Sequence, residues 1–100
     1  MIDWARIKGF DWDHGNARKN VDKHAVSQSE AEQLFFNDPL LVLTDRKHGE
    51  GETRLHALGH TDDGRRLHIT FTLRDERSLL RVISARDMSR KERDAYGKEA

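Results

Sequence analysis

The spacing of apolar residues changes period partway along the chain. "RIKGFDWD", residues 6–13, alternates Ile7 and Gly9 with Lys8, Phe10 and Trp12 and predicts a short strand. Asp13 is placed to cap a helix running to about Lys23, with Ala17, Val21 and His24 as its apolar stripe. A second helix opens at "SQSE", where Ser27 and Glu30 form a capping-box signature and Ala31, Leu34 and Phe35 supply the buried face. "NDP", Asn37 to Pro39, stops it, because proline disfavours the helical region in the residue before it.

From there the pattern is extended. "LLVLT", Leu40 to Thr44, is a strand; "DRKHGEGE" is a polar loop; "TRLHALGH", residues 53–60, is the next strand, and "TDDG" turns the chain. "RRLHITFTL" alternates strictly, with Leu67, Ile69, Phe71 and Leu73 facing one way and Arg66, His68, Thr70 and Thr72 the other. After "RDER", Leu79 to Ala85 is apolar on both faces apart from Arg81, the mark of an interior strand. Alternation places Arg86, which ends that strand, on the face of Leu80, Val82 and Ser84. Ser89 and Glu92 make another capping box, opening a helix to about Lys98. These elements predict one α+β domain over residues 1–100, an antiparallel sheet with two N-terminal helices and a C-terminal helix.

Charge refines this picture. Eighteen Lys and Arg balance eighteen Asp and Glu, so the chain as a whole has no attraction for nucleic acid. The distribution is uneven: residues 81 to 93 hold Arg81, Arg86, Arg90, Lys91 and Arg93 against Asp87 and Glu92. Three of those cations fall in a first helical turn, against the helix dipole. A solvated charged helix is the plain alternative. The chain has no cysteine, so a disulfide framework and thiolate metal sites are excluded. No apolar run approaches the ~20 residues that span a bilayer and no signal-peptide core appears, so a cytoplasmic protein without membrane contact is expected. His56 and His60 are four apart on a strand, ~13 Å and too far for one ion, so no metal and no other cofactor is expected.

"FDWD", Asn20, "KHAV", "NDPL", "ETRLHALG" and above all "RVISARDMSRKERDAY" resemble the BrnT toxins of bacterial type II toxin–antitoxin systems, over nearly the whole chain. At "WDHGN" the chain departs from the family's usual lysine, and no role is carried onto Asn16. The resemblance implies a RelE-like ribonuclease fold, metal-independent RNA cleavage that arrests translation, and neutralisation by a BrnA antitoxin. It further implies a dimeric, DNA-binding antitoxin, a two-plus-two complex, and contact with operator DNA only through that partner.

Such chemistry needs a base for the 2′-hydroxyl, an acid for the leaving 5′-oxygen and cations for the phosphorane. Arg86 and Arg54 are rigid forks suited to phosphate but not to proton exchange. Proton exchange would fall to His24, to Tyr96, or to Lys23 with a depressed pKa. Ser89, Glu92, Arg93 and Tyr96 share one helix face, which is expected to border Arg86. Arg81, Arg90, Lys91, Arg93 and Trp12 would then line the RNA. Each has a structural alternative: Arg86 paired with Asp87 or Glu76, Arg54 merely exposed, His24 a helix-end cation or a core residue, Lys23 solvated, Trp12 and Tyr96 packed. Glu92 reads as a cap and is left out of the catalytic set. A non-catalytic nucleic-acid or protein-binding module built on the same basic junction is the competing function.

Overall fold

The computed structural model describes residues 2–13, 15, 24–45 and 54–99. A 3-10 turn, Trp4–Arg6, precedes β1 (Gly9–Phe10); α1 (Gln28–Leu34), β2 (Leu41–Asp45), β3 (Arg54–His60), β4 (Arg66–Arg74), β5 (Leu79–Asp87) and α2 (Arg90–Glu99) follow. The predicted helix from Asp13 to Lys23 lies almost wholly outside the described residues. Among the described residues one N-terminal helix, α1, is seen, so the expectation of two is not borne out. It starts as the sequence predicts: Ser27 Oγ accepts from the Glu30 N–H and the Glu30 carboxylate accepts from the Ser27 N–H, both at 3.1 Å.

The five strands form one sheet in the order β1-β5-β4-β3-β2. The expected antiparallel sheet is corrected to a mixed one, because β1 runs parallel to β5, pairing Gly9 with Leu79 and Phe10 with Leu80. A two-residue strand at the edge carries too little periodicity to reveal its direction. It does explain why β5 is apolar on both faces: β5 is an interior strand.

The hairpin register fixes the faces. Leu55, Ala57 and Gly59 of β3 oppose Phe71, Ile69 and Leu67 of β4. Leu80, Val82 and Ala85 of β5 extend that face, and Ala31, Leu34 and Val26 cover it. On the reverse face, Leu58 packs with Met88 and Tyr96, the latter from α2, and with Leu41. The two helices thus take opposite faces of the sheet. Among the described residues, no helix is long and apolar enough to cross a membrane. At the β1 edge, Phe35 stacks on Trp4, Phe10 and the core Phe71, while Trp4 and Phe36 stay exposed at 42% and 78%.

One irregularity redirects the site. Thr70 pairs with Ser84 but Phe71 pairs with Val82, so Ile83 is an extra residue without a cross-strand partner. The bulge shifts the alternation by one. Arg86, expected on the face of Leu80 and Val82, instead pairs with His68 on the reverse face, beside α2. Ser84 moves with it, opposite Thr70.

The helix on the core face comes close because β3 has no side chain at Gly59. A Cβ there would lie 2.8 Å from Leu34 Cγ, and Leu34 is fully buried. Gly59→Ala is expected to lower stability by ~1–3 kcal/mol through overpacking, with Leu34→Ala in the same chain giving back part of the loss. Urea denaturation of the wild type and the two variants measures this; an undiminished midpoint for Gly59→Ala would contradict the close approach.

Candidate active site

The reverse face is built from alternate residues of three strands. Along β3 these are Arg54, His56, Leu58 and His60; along β4, Thr72, Thr70, His68 and Arg66; along β5, Arg81, Ser84 and Arg86. α2 covers the Leu58 end, and Leu43, opposite His56 on β2, remains 60% exposed.

Glu92 organises the covered end. Its Oε1 accepts from Arg86 Nη1 at 2.8 Å and its Oε2 from Arg86 Nη2 at 3.0 Å, a bidentate pair. Oε1 also accepts from the Ser89 N–H at 2.9 Å while Ser89 Oγ accepts from the Glu92 N–H at 3.2 Å, so the predicted capping box is present. Burial alone would raise the Glu92 pKa, but the bonds from Arg86 and the Ser89 backbone outweigh it and hold the carboxyl at about 2. Arg86 Nη1 additionally donates to Asp87 O at 3.0 Å. Among the described residues these bonds use both Nη1 hydrogens and one on Nη2, and the other Nη2–H and the Nε–H have no acceptor.

His68 and His56 extend the cluster. His68 Nδ1 lies 3.4 Å from Glu92 Oε2, and its Nε2 is 3.1 Å from His56 Nδ1, which also meets Thr70 Oγ1 at 3.0 Å. Burial pushes the His68 pKa down; Glu92 opposes the shift and Arg86 and His56 reinforce it. The 3.4 Å contact is therefore a neutral imidazole beside a carboxylate at neutral pH, not a salt bridge.

The other predicted site residues are distributed around this centre. Arg54 is exposed at the far end of the same face; four residues along the strand and two strand spacings across separate its backbone from that of Arg86 by roughly 16 Å. That separation is too large for the two arginines to grip one phosphate together. The Tyr96 hydroxyl donates to Pro39 O at 2.6 Å and accepts from His60 Nδ1 at 2.9 Å, which anchors α2. His24 is half-buried at the β5 end: its carbonyl accepts from Arg65 Nη2 at 3.2 Å, and its ring lies within electrostatic range of Asp87. Arg65 in turn grips Asp87 at 2.7 Å and Glu30 at 3.1 Å. Lys23 is outside the described residues.

The expected nucleic-acid contacts are largely occupied within the chain. Arg81 pairs with Asp13 and Asp11. Arg93 Nη1 donates to Met88 O at 3.0 Å, and Trp12 Nε1 donates to Glu32 Oε2 at 2.7 Å while packing on the core. Arg90 and Lys91 are exposed on the first turn of α2. Glu92, not Tyr96 or Arg93, is the helix residue that binds Arg86. Among the described residues, no three His, Cys, Asp or Glu side chains cluster as a metal site.

Residues 12–92 match the family model described as the ribonuclease toxin, BrnT, of type II toxin–antitoxin systems. This chain belongs to the BrnT family. The fold agrees: the 1.1 Å crystal structure of the Brucella abortus ribonuclease toxin BrnT superposes with a TM-score of 0.61 at 21% identity, covering 82% of this chain and 97% of that one. No curated protein sequence matches. Family membership implies an antitoxin partner, and the cluster around Glu92 lies in the part of the chain the BrnT model matches.

Because Glu92 has a folded pKa of about 2, below the ordinary 4.5, its ionisation stabilises the fold fully above about pH 4.5 and the contribution is lost as pH falls towards 2. Glu92→Gln is expected to flatten the stability profile across that window. Thermal melts from about pH 2 to 6 test this, and parallel profiles for the two proteins would contradict the strong pairing.

Proposed function

We propose that this BrnT chain is an RNA endonuclease that cleaves without a metal ion, on the reverse face of the β3–β5 sheet, and thereby arrests translation. The observation that carries the proposal is Arg86: a fork held from behind by Glu92, with two N–H groups left over at the edge of a polar sheet face. An arginine fixed in this way is preorganised to stabilise charge developing on a phosphorane. Arg54 holds the substrate strand at the far end of the face, and the exposed Arg90 and Lys91 add attraction along the junction. The mixed sheet flanked by helices is read as a variant of the RelE-like ribonuclease fold.

A BrnA-type antitoxin, dimeric and DNA-binding, neutralises the toxin in a two-plus-two complex and carries it to operator DNA. The family's type II classification supports a protein antitoxin.

Induced expression of the wild type and Arg86→Ala in bacteria, scoring growth and mapping RNA 5′ ends, tests the proposal. Wild type is expected to arrest growth with new cleavage ends, and Arg86→Ala to cleave at least about 100-fold more slowly with its fold retained. Soluble, folded wild type that produces neither arrest nor new ends would leave the non-catalytic binding module as the better reading. A fully toxic Arg86→Ala would remove Arg86 from the mechanism.

A further inference from the structure

The cations of the reverse face fall along a line. Arg90 and Lys91 are exposed on the first turn of α2, Arg86 is half-buried at the end of β5 beside them, and Arg54 is exposed at the far end of β3. Between Arg86 and Arg54 the floor is made of Ser84 and Thr70, two half-buried hydroxyl side chains paired across β5 and β4. Ser84 reaches this face through the bulge at Ile83, which turns it to the same side as Arg86. Two residues along a strand advance it by roughly 6.6 Å, so Ser84 is the first step away from Arg86.

The direction of the next step is set by charge. Further along β5 comes Arg81, whose guanidinium is already engaged by Asp13 and Asp11. A phosphate arriving there would have to displace two carboxylates. A phosphodiester chain that leaves Arg86 past Ser84 therefore crosses β4 towards Arg54 instead of following β5.

We propose, on the reading of this face as an RNA-cleaving site, that its substrate is single-stranded RNA gripped at two phosphates. The scissile phosphate lies on Arg86, and a second, two or three nucleotides away, lies on Arg54. The backbones of the two arginines are roughly 16 Å apart. Glu92 and the Asp87 carbonyl fix the Arg86 head at the α2 end, so only the lean of the Arg54 side chain alters the span. A single strand with splayed bases advances roughly 6 Å per nucleotide, which gives the two or three steps. An A-form duplex does not fit, because its rigid backbone holds each 2′-oxygen out of line with the 5′-oxygen it must displace. Arg54 is thus a positioning residue: it binds a group remote from the reacting atoms and sets which phosphate reaches Arg86. Arg90 and Lys91 attract the strand on the other side of Arg86.

The test uses oligonucleotides built around a cleavage site mapped in bacteria, with one ribose at that site and 2′-O-methyl riboses elsewhere. They run from a dinucleotide to about eight nucleotides, lengthened on the 5′ or the 3′ side separately. Values of kcat and KM, and their salt dependence, are measured for wild type, Arg54→Ala, Arg54→Lys and Arg86→Ala, with thermal melts alongside. Wild-type kcat/KM is expected to rise about tenfold at the length that reaches Arg54, on one side only, and then to level off. Arg54→Ala removes that rise through KM, with kcat within about twofold of wild type, and flattens the slope of log kcat/KM against log salt by about 0.7 for the long substrates. Arg54→Lys, which keeps the charge, restores most of both. A merely structural role would instead lower the rate by one factor at every length. A wild type that cleaves without a length step, or an Arg54→Ala that loses the same factor on the dinucleotide as on the longest substrate, would overturn the two-phosphate grip and leave the Arg86 reading standing. Equal cleavage of the longest strand when annealed to its complement would overturn the single-stranded class. A wild type that cleaves none of the substrates would overturn the Arg86 reading and the grip with it. Should Arg54→Ala misfold, the wild-type length series decides alone.

Discussion

The Glu92 carboxylate is the point at which sheet, helix and site meet. It closes the capping box that starts α2, takes the Arg86 guanidinium in a bidentate grip and faces His68 across 3.4 Å. Removing a charge from such a network leaves its buried partners unpaired, so the position of Arg86, the start of the helix and the His68 environment depend on one side chain. It also answers the puzzle of cations at a helix N-terminus. Glu92 supplies the negative charge the dipole favours there, and Arg93 is turned back onto the Met88 carbonyl.

That arrangement exists because β5 carries one residue too many for its partner. With regular alternation Arg86 would face the core beside Ala31 and Leu34, where an unpaired guanidinium is prohibitively costly. The extra residue at Ile83 lets β5 keep Leu80, Val82 and Ala85 on the core face and still deliver Arg86 to the other. Bulges frequently re-aim side chains next to active sites, and this one does so between the part of β5 that is core and the part that is chemistry.

Much of this was legible in the sequence. Both capping boxes appear at the residues that signalled them, and the apolar set of β4 faces the core as its period demands. The family resemblance carried by residues 81–96 and the KHAV and NDPL segments agrees with the match over residues 12–92. What escaped were features set by pairing instead of period. The direction of β1 and the bulge at Ile83 depend on neighbouring strands, and a bulge inside an apolar run leaves no polar mark. Glu92 was recognised as a cap, but its grip on Arg86 depends on where the helix lands. The contact between His56 and His68 likewise depends on pairing: the register of the hairpin at "TDDG" sets Thr70 opposite His56 and brings His68 onto the neighbouring diagonal.

The claim on which the account turns is that RNA lies on the reverse face of the sheet, over β3, β4 and β5. Amide chemical-shift mapping of the protein with a non-cleavable 2′-O-methyl oligonucleotide measures this directly. The account predicts perturbations at Arg54, His56, Thr70, Ser84, Arg86 and the first turn of α2, with the exposed aromatic edge at Trp4 and Phe36 unaffected. Shifts confined to that aromatic edge or to α1, with the Arg86 region unmoved, would contradict it.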